Sequence, residues 1–184
     1  VRLISRYLRR AVADGSDIEA REGMSLGRFY AGVSLANAGV GAVHALAYPL
    51  GGRFHLSHGL SNALLLLPVL QFNLSSNLEK FRTVAAALGE PVEGMSIEDG
   101  ARLVLSSVER LFKEIGLPDS LATVGIPSSA LGELAEEAIK QDVSSVLPTE
   151  EEEATRDGHN QEIGRLRAEV NVLGQKAGGS QRDI

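Results

Sequence analysis

At 184 residues, 43% of them hydrophobic, the chain is long enough to bury a core of ordinary domain size. Only 4% are aromatic and none is Trp, so that core is built from Leu, Ala, Val and Ile, which suits packed helices better than strands. A net charge of −6 argues against nucleic acid as a partner, and the lack of cysteine excludes disulfides, thiolate metal sites and cysteine nucleophiles while fitting a reducing, cytoplasmic compartment.

Residues 1–13 are amphipathic: Leu3, Ile4, Tyr7, Leu8 and Val12 recur at helical spacing between arginines. The pattern begins without Met, inside a helix and with no signal-peptide layout, which predicts that the chain starts partway through a longer protein. Asp14-Gly15-Ser16-Asp17 breaks it, and Asp17 is placed to cap the next helix. That helix, about 18–37, carries Gly23, Gly27, Ala31, Gly32, Ser34 and Ala36, which predicts close approach of another helix or a site wall. A short apolar helix over 42–50 should end at Gly51-Gly52.

After a loop, His58-Gly59 opens a helix to about Asn73 that is apolar nearly all round and should be central and buried, with Pro68 placed to kink it. Its longest apolar run, Ala63 to Leu70, is far short of the roughly 20 residues that span a bilayer. Helices are expected at about 76–88, 97–115 and 128–141, with Ser96 and Ser128 as caps, and no strand pattern is present. From about 148 the composition turns acidic and polar: Glu150 to Glu153 form a run, and Ile163, Leu166, Val170 and Leu173 repeat over only two heptads. Residues 148–184 therefore read as a poorly ordered tail, set apart from a helical domain over 1–147.

Of the four histidines, His44, His55 and His58 fall within fifteen positions, and His159 lies in the tail. His44 and His58 open consecutive helices joined by a tight Gly-Gly turn, so their rings can converge on one ion. From spacing alone, the pair is a weak signal, and a satisfied core histidine is the better reading.

The surrounding stretch, Gly39-Val40-Gly41-Ala42-Val43-His44-Ala45-Leu46-Ala47-Tyr48-Pro49-Leu50-Gly51-Gly52-Arg53-Phe54-His55-Leu56-Ser57-His58-Gly59-Leu60-Ser61-Asn62-Ala63, closely resembles the signature of the iron-containing (group III) alcohol dehydrogenases. The resemblance covers residues 1 to about 141 and implies an all-α bundle like that family's C-terminal, dehydroquinate synthase-like metal-binding domain. It further implies that His44 and His58 are two of four metal ligands. The family's other two, an Asp and a His one helical turn apart, have no match here, and neither has its N-terminal α/β nucleotide-binding domain with a Gly-rich phosphate loop.

The implied activity is hydride transfer between a small alcohol and its aldehyde or ketone, with NAD or NADP as cofactor and Fe(II), or else Zn(II), as Lewis acid. The implied full-length form is a cytoplasmic homo-oligomer without nucleic-acid or membrane partners. Many family members carry a proton-relay His four positions after the first ligand; here Tyr48 stands there and is the candidate catalytic residue. Hydroxyacid-oxoacid transhydrogenases look similar in carrying Tyr at that position. Tyr48 either takes part in the chemistry or packs beside it, and a phenol is a poorer shuttle than an imidazole at neutral pH. His55 either contacts substrate or serves the loop; the loop role is preferred. The alternatives to a dehydrogenase are a non-catalytic helical module that assembles with a partner, or a fragment of a transhydrogenase or maleylacetate reductase.

Overall fold

The computed structural model describes residues 1–144, and these are all-α: seven helices and two short 3-10 turns, with no strand among the described residues. The helices are α1 (Arg2–Ala13), α2 (Ile18–Ala38), α3 (Ala42–Phe54), α4 (His58–Asn73), α5 (Leu78–Leu88), α6 (Ile97–Glu114) and α7 (Leu131–Ser144). The expected acidic tail, His159, the Glu150–Glu153 run and the repeat from Ile163 lie outside the described residues. No single described helix is long and apolar enough to cross a membrane.

Contacts divide the described chain into two compact units, one of residues 1–40 with 66–119 and one of 41–65 with the residues from Ser120 onward. In the first, α1 and α2 form a hairpin. Ser16 donates its N–H to the Asp14 carboxylate (2.8 Å) to close the turn, and Asp17 caps α2 by accepting from the Ala20 N–H (3.0 Å). Arg10 bonds Asp17 and Glu19 on the far side of the turn, and these bonds hold both carboxylates below their ordinary range. Ser5 Oγ donates to the Leu88 carbonyl at 2.7 Å, fastening α1 to the end of α5.

The expected close approach at the glycines of α2 is present: Gly23 faces the Tyr7 ring and Gly27 faces Leu3 and Ile4 of α1. A Cβ on Gly23 would fall 2.2 Å from Tyr7 Cδ2 and 2.7 Å from its Cγ. The ring has little room to swing, because Arg6 and Arg10 stack over it with their guanidinium carbons 5.1 and 5.6 Å from its centre. Gly23→Ala should therefore destabilise the hairpin by about 1–2 kcal/mol net, the overpacking cost exceeding alanine's gain in helix propensity. Thermal unfolding followed by circular dichroism checks this, and an unchanged or raised midpoint would mean that the two helices do not pack here. Further along α2, every described side chain from Arg28 to Asn37 is exposed.

The core of this unit is the α5–α6 pair. Ala101, Val104, Val108 and Leu111 recur at three and four residues along α6, and Val104 and Val108 meet Ala85 of α5. Leu66, Leu67 and Leu70 from the second half of α4 close over this cluster. Gly89, with φ +97°, ends α5 in the left-handed conformation while the Glu90 N–H reaches back to the Ala85 carbonyl. As expected, Ser96 caps α6, its Oγ accepting from the Asp99 N–H at 3.0 Å.

Three expectations are corrected. First, α3 does not stop at Gly51-Gly52 but runs to Phe54. Leu50 is buried and Phe54 packs against the same cluster, while Arg53 bonds Glu133 (2.6 Å) and Glu137 (3.2 Å) on α7. This anchoring outweighs the helix penalty of about 1 kcal/mol per glycine. Second, Ser128 makes no side-chain cap. It opens a 3-10 turn, Ser128–Ala130, that precedes α7. Third, α4 is apolar on all sides, yet only Ser61 and Val69 along it are buried. Its leucines are shared between two clusters, Leu65 in one and Leu66, Leu67 and Leu70 in the other, and most stay half-buried.

Candidate metal centre

The second unit holds the three clustered histidines. α3 starts after Gly41, whose carbonyl accepts from the His44 N–H at 3.0 Å, so His44 stands in the first helical turn. Tyr48 follows one turn later on the same face. The helix is held from behind: Leu50 (1% exposed) packs with Ile126 and Leu134, with Leu56, Leu121 and Leu131 around them. Leu56 belongs to the linker between α3 and α4, so the same cluster fixes the turn that leads to His58. Ser57 then stands just before α4. Its Oγ accepts weakly from the Leu60 N–H (3.4 Å), and its carbonyl accepts from the Ser61 N–H and hydroxyl (3.0 and 3.1 Å).

These elements bring His44 and His58 together. Their ring centres are 5.4 Å apart and their planes are inclined by 50°. The Tyr48 ring lies 6.1 Å from the His58 ring, with the planes inclined by 30°. His44 is half-buried, whereas His58 and Tyr48 are exposed, so the cluster opens outward. Two imidazoles that each give one nitrogen to a shared ion at about 2.1 Å have ring centres roughly 5–6 Å apart. The observed separation falls in that range, and neutral nitrogen donors suit Fe(II) and Zn(II). Among the described residues no group of three or more His, Asp or Glu forms a metal cluster. The described residues thus offer two candidate donors, half of a tetrahedral set.

His55 has a backbone role. It closes α3 in the left-handed region (φ 54°, ψ 26°), with its N–H bonded to the Gly51 carbonyl at 3.1 Å. That conformation costs a residue with a Cβ about 1 kcal/mol. His55→Gly is therefore expected to raise stability by up to about 1 kcal/mol without weakening divalent-metal binding. Denaturant titration and Zn(II) titration of the variant test the two halves, and loss of metal binding would make His55 a ligand after all.

One residue of the centre was not singled out in the sequence. Asn62, one turn after His58 on α4, places its amide nitrogen 2.8 Å from the His58 carbonyl oxygen and 3.2–3.3 Å from both ring nitrogens. The available signal was a polar residue four positions after a candidate ligand, inside an otherwise apolar helix.

A sequence model described as the Fe-containing alcohol dehydrogenase family, C-terminal, matches residues 1–158. The 1,3-propanediol dehydrogenase of Citrobacter freundii is 39% identical over 166 residues, which are 90% of this chain and 41% of that enzyme. Long-chain-alcohol dehydrogenase 1 of Geobacillus thermodenitrificans is 44% identical over 141 residues, 77% of this chain and 36% of its own length. The crystal structure of a 1,3-propanediol oxidoreductase superposes with a TM-score of 0.78 at 37% identity, covering 92% of this chain and 42% of that one. The chain thus spans about two fifths of the length of the relatives it matches.

Proposed function

This chain belongs to the Fe-containing alcohol dehydrogenase family, matching its C-terminal part, and from that premise we propose that it supplies half of a metal centre for hydride exchange between a small alcohol and its carbonyl product, with NAD or NADP as the acceptor. The observation that carries the proposal is the convergence of the His44 and His58 rings, 5.4 Å apart, from two consecutive helices. When bound, a divalent ion, Fe(II) before Zn(II), supplies Lewis acidity that makes the alcohol hydroxyl easier to deprotonate and the product carbonyl more electrophilic. His44 and His58 would hold that ion. Tyr48, exposed beside His58, can hydrogen-bond the oxygen of an alcohol and hold or release a proton at Oη.

Relatives of this chain are named for methanol, lactaldehyde and long-chain alcohols, so family membership leaves the chain length of the alcohol open. The phenol at position 48 supports a second reading within the same fold, hydride exchange between a hydroxyacid and an oxoacid. We read the working form as a cytoplasmic homo-oligomer that carries the remaining donors and the nucleotide-binding residues as well. Two donors bind an ion weakly. The chain alone is expected to show weak Zn(II) or Co(II) binding and no alcohol-dependent reduction of NAD or NADP. A polypeptide that joins it to the upstream half found in its relatives is expected to show both metal binding and that reduction. Turnover by the chain alone would overturn the half-site reading. Absence of alcohol- and hydroxyacid-dependent reduction from the joined, metal-loaded polypeptide would overturn the activity.

A further inference from the structure

We propose that Asn62 is a positioning residue for His58, holding the imidazole from its face so that the nitrogens at its edge stay free for a ligand. The value of that arrangement rests on the metal-binding reading above; the geometry does not. The Asn62 Nδ2 donates to the His58 carbonyl at 2.8 Å. This bond fixes which end of the amide is nitrogen, because the amide oxygen in its place would confront another acceptor.

The same Nδ2 lies 3.3 Å from His58 Nδ1 and 3.2 Å from Nε2. An atom almost equidistant from both ring nitrogens cannot lie in the ring plane without striking the carbon between them. It therefore stands over the ring, and its second N–H meets the π face rather than a lone pair. A neutral imidazole has one lone pair to offer, and an in-plane bond from Asn62 would consume it. The face contact restrains the ring's rotation and leaves that lone pair available.

The rest of the side chain argues in the same direction. Asn62 Oδ1 is buried and has no hydrogen-bond partner. A buried acceptor without a donor is destabilising, and a leucine of similar size would remove the penalty. Packing alone therefore favours an apolar residue here, and what the amide adds is its contact with His58.

The test is Asn62→Leu, with Asn62→Ala as a second variant should leucine not fit. In the metal-free chain, the His58 ring proton signals in NMR are expected to shift and broaden, and to do so more than those of His44. The denaturation midpoint of the leucine variant is expected to be equal or higher. Zn(II) affinity is expected to fall about 10-fold or more, the usual effect of losing a group that orients a ligand. Unmoved His58 signals would overturn the proposal, as would a lower midpoint with unchanged Zn(II) affinity, which would make Asn62 a structural residue only. If the parent chain binds no Zn(II), the metal-binding reading fails, and the NMR comparison still decides the role of Asn62.

Discussion

Alanine in place of either His44 or His58 is expected to lower divalent-metal affinity by at least about 100-fold, because loss of a group that merely orients a ligand already costs 10–100-fold. Each ring is one of the two candidate donors that the described residues bring together. With one gone, the remaining imidazole is an ordinary surface histidine that holds an ion with a single bond. The double variant should lose less than the sum of the two single losses, since both act on one ion and their effects are not additive. Titration with Co(II), read by its absorption, or with Zn(II) by competition measures this directly. Circular dichroism guards against a trivial cause: His58 is exposed and His44 only half-buried, so neither truncation should unfold the chain. Full metal affinity in His58→Ala would sink the shared-ion reading even if His44→Ala were inactive, for the pair would then not be a pair.

The same two residues show how far the sequence alone can be read. The approach of His44 and His58 was legible because the signature around them sets residue types at fixed intervals. The helices α1 and α6 were legible from apolar periodicity, and Asp17 and Ser96 from cap chemistry; all of these are local signals. The errors came where tertiary packing decides. Gly51-Gly52 reads as a stop, but Leu50, Arg53 and Phe54 find partners on α7 and its approach, and the helix continues through the glycines. A helix apolar all round reads as a core helix, yet α4 divides its leucines between two clusters, and nothing local marks where the division at Leu65 and Leu66 falls. Asn62 reads as one polar residue in an apolar run. Its relation to His58 depends on a side-chain rotamer, which periodicity does not encode.

Leu50→Ala should be the most destabilising single truncation near the site, costing about 2–5 kcal/mol. Leu50 is 1% exposed and packs with Ile126 and Leu134, so its removal leaves a cavity inside a shared apolar cluster. Leu50→Met keeps most of the volume and is expected to cost under about 1.5 kcal/mol, which separates packing from any special role of the leucine. Denaturant titration gives both numbers, provided the slope m is unchanged, since a changed slope would mean that the unfolding is no longer the same two-state process. The cavity should also be felt at the candidate metal centre. Leu50 lies on the helix that carries His44 and Tyr48, and its cluster includes Leu56 from the linker that delivers His58. Loosening that cluster lets the two rings drift relative to each other, and two donors bind an ion jointly only while their separation is held. Zn(II) affinity should therefore fall in Leu50→Ala, but less than in His44→Ala, because both nitrogens remain and the ion can pull them back at a cost in order. Loss of less than about 1 kcal/mol would show that position 50 is not packed as described. Loss of stability with metal affinity intact would show that the rings are held by α4 and its own contacts rather than by the core beneath α3.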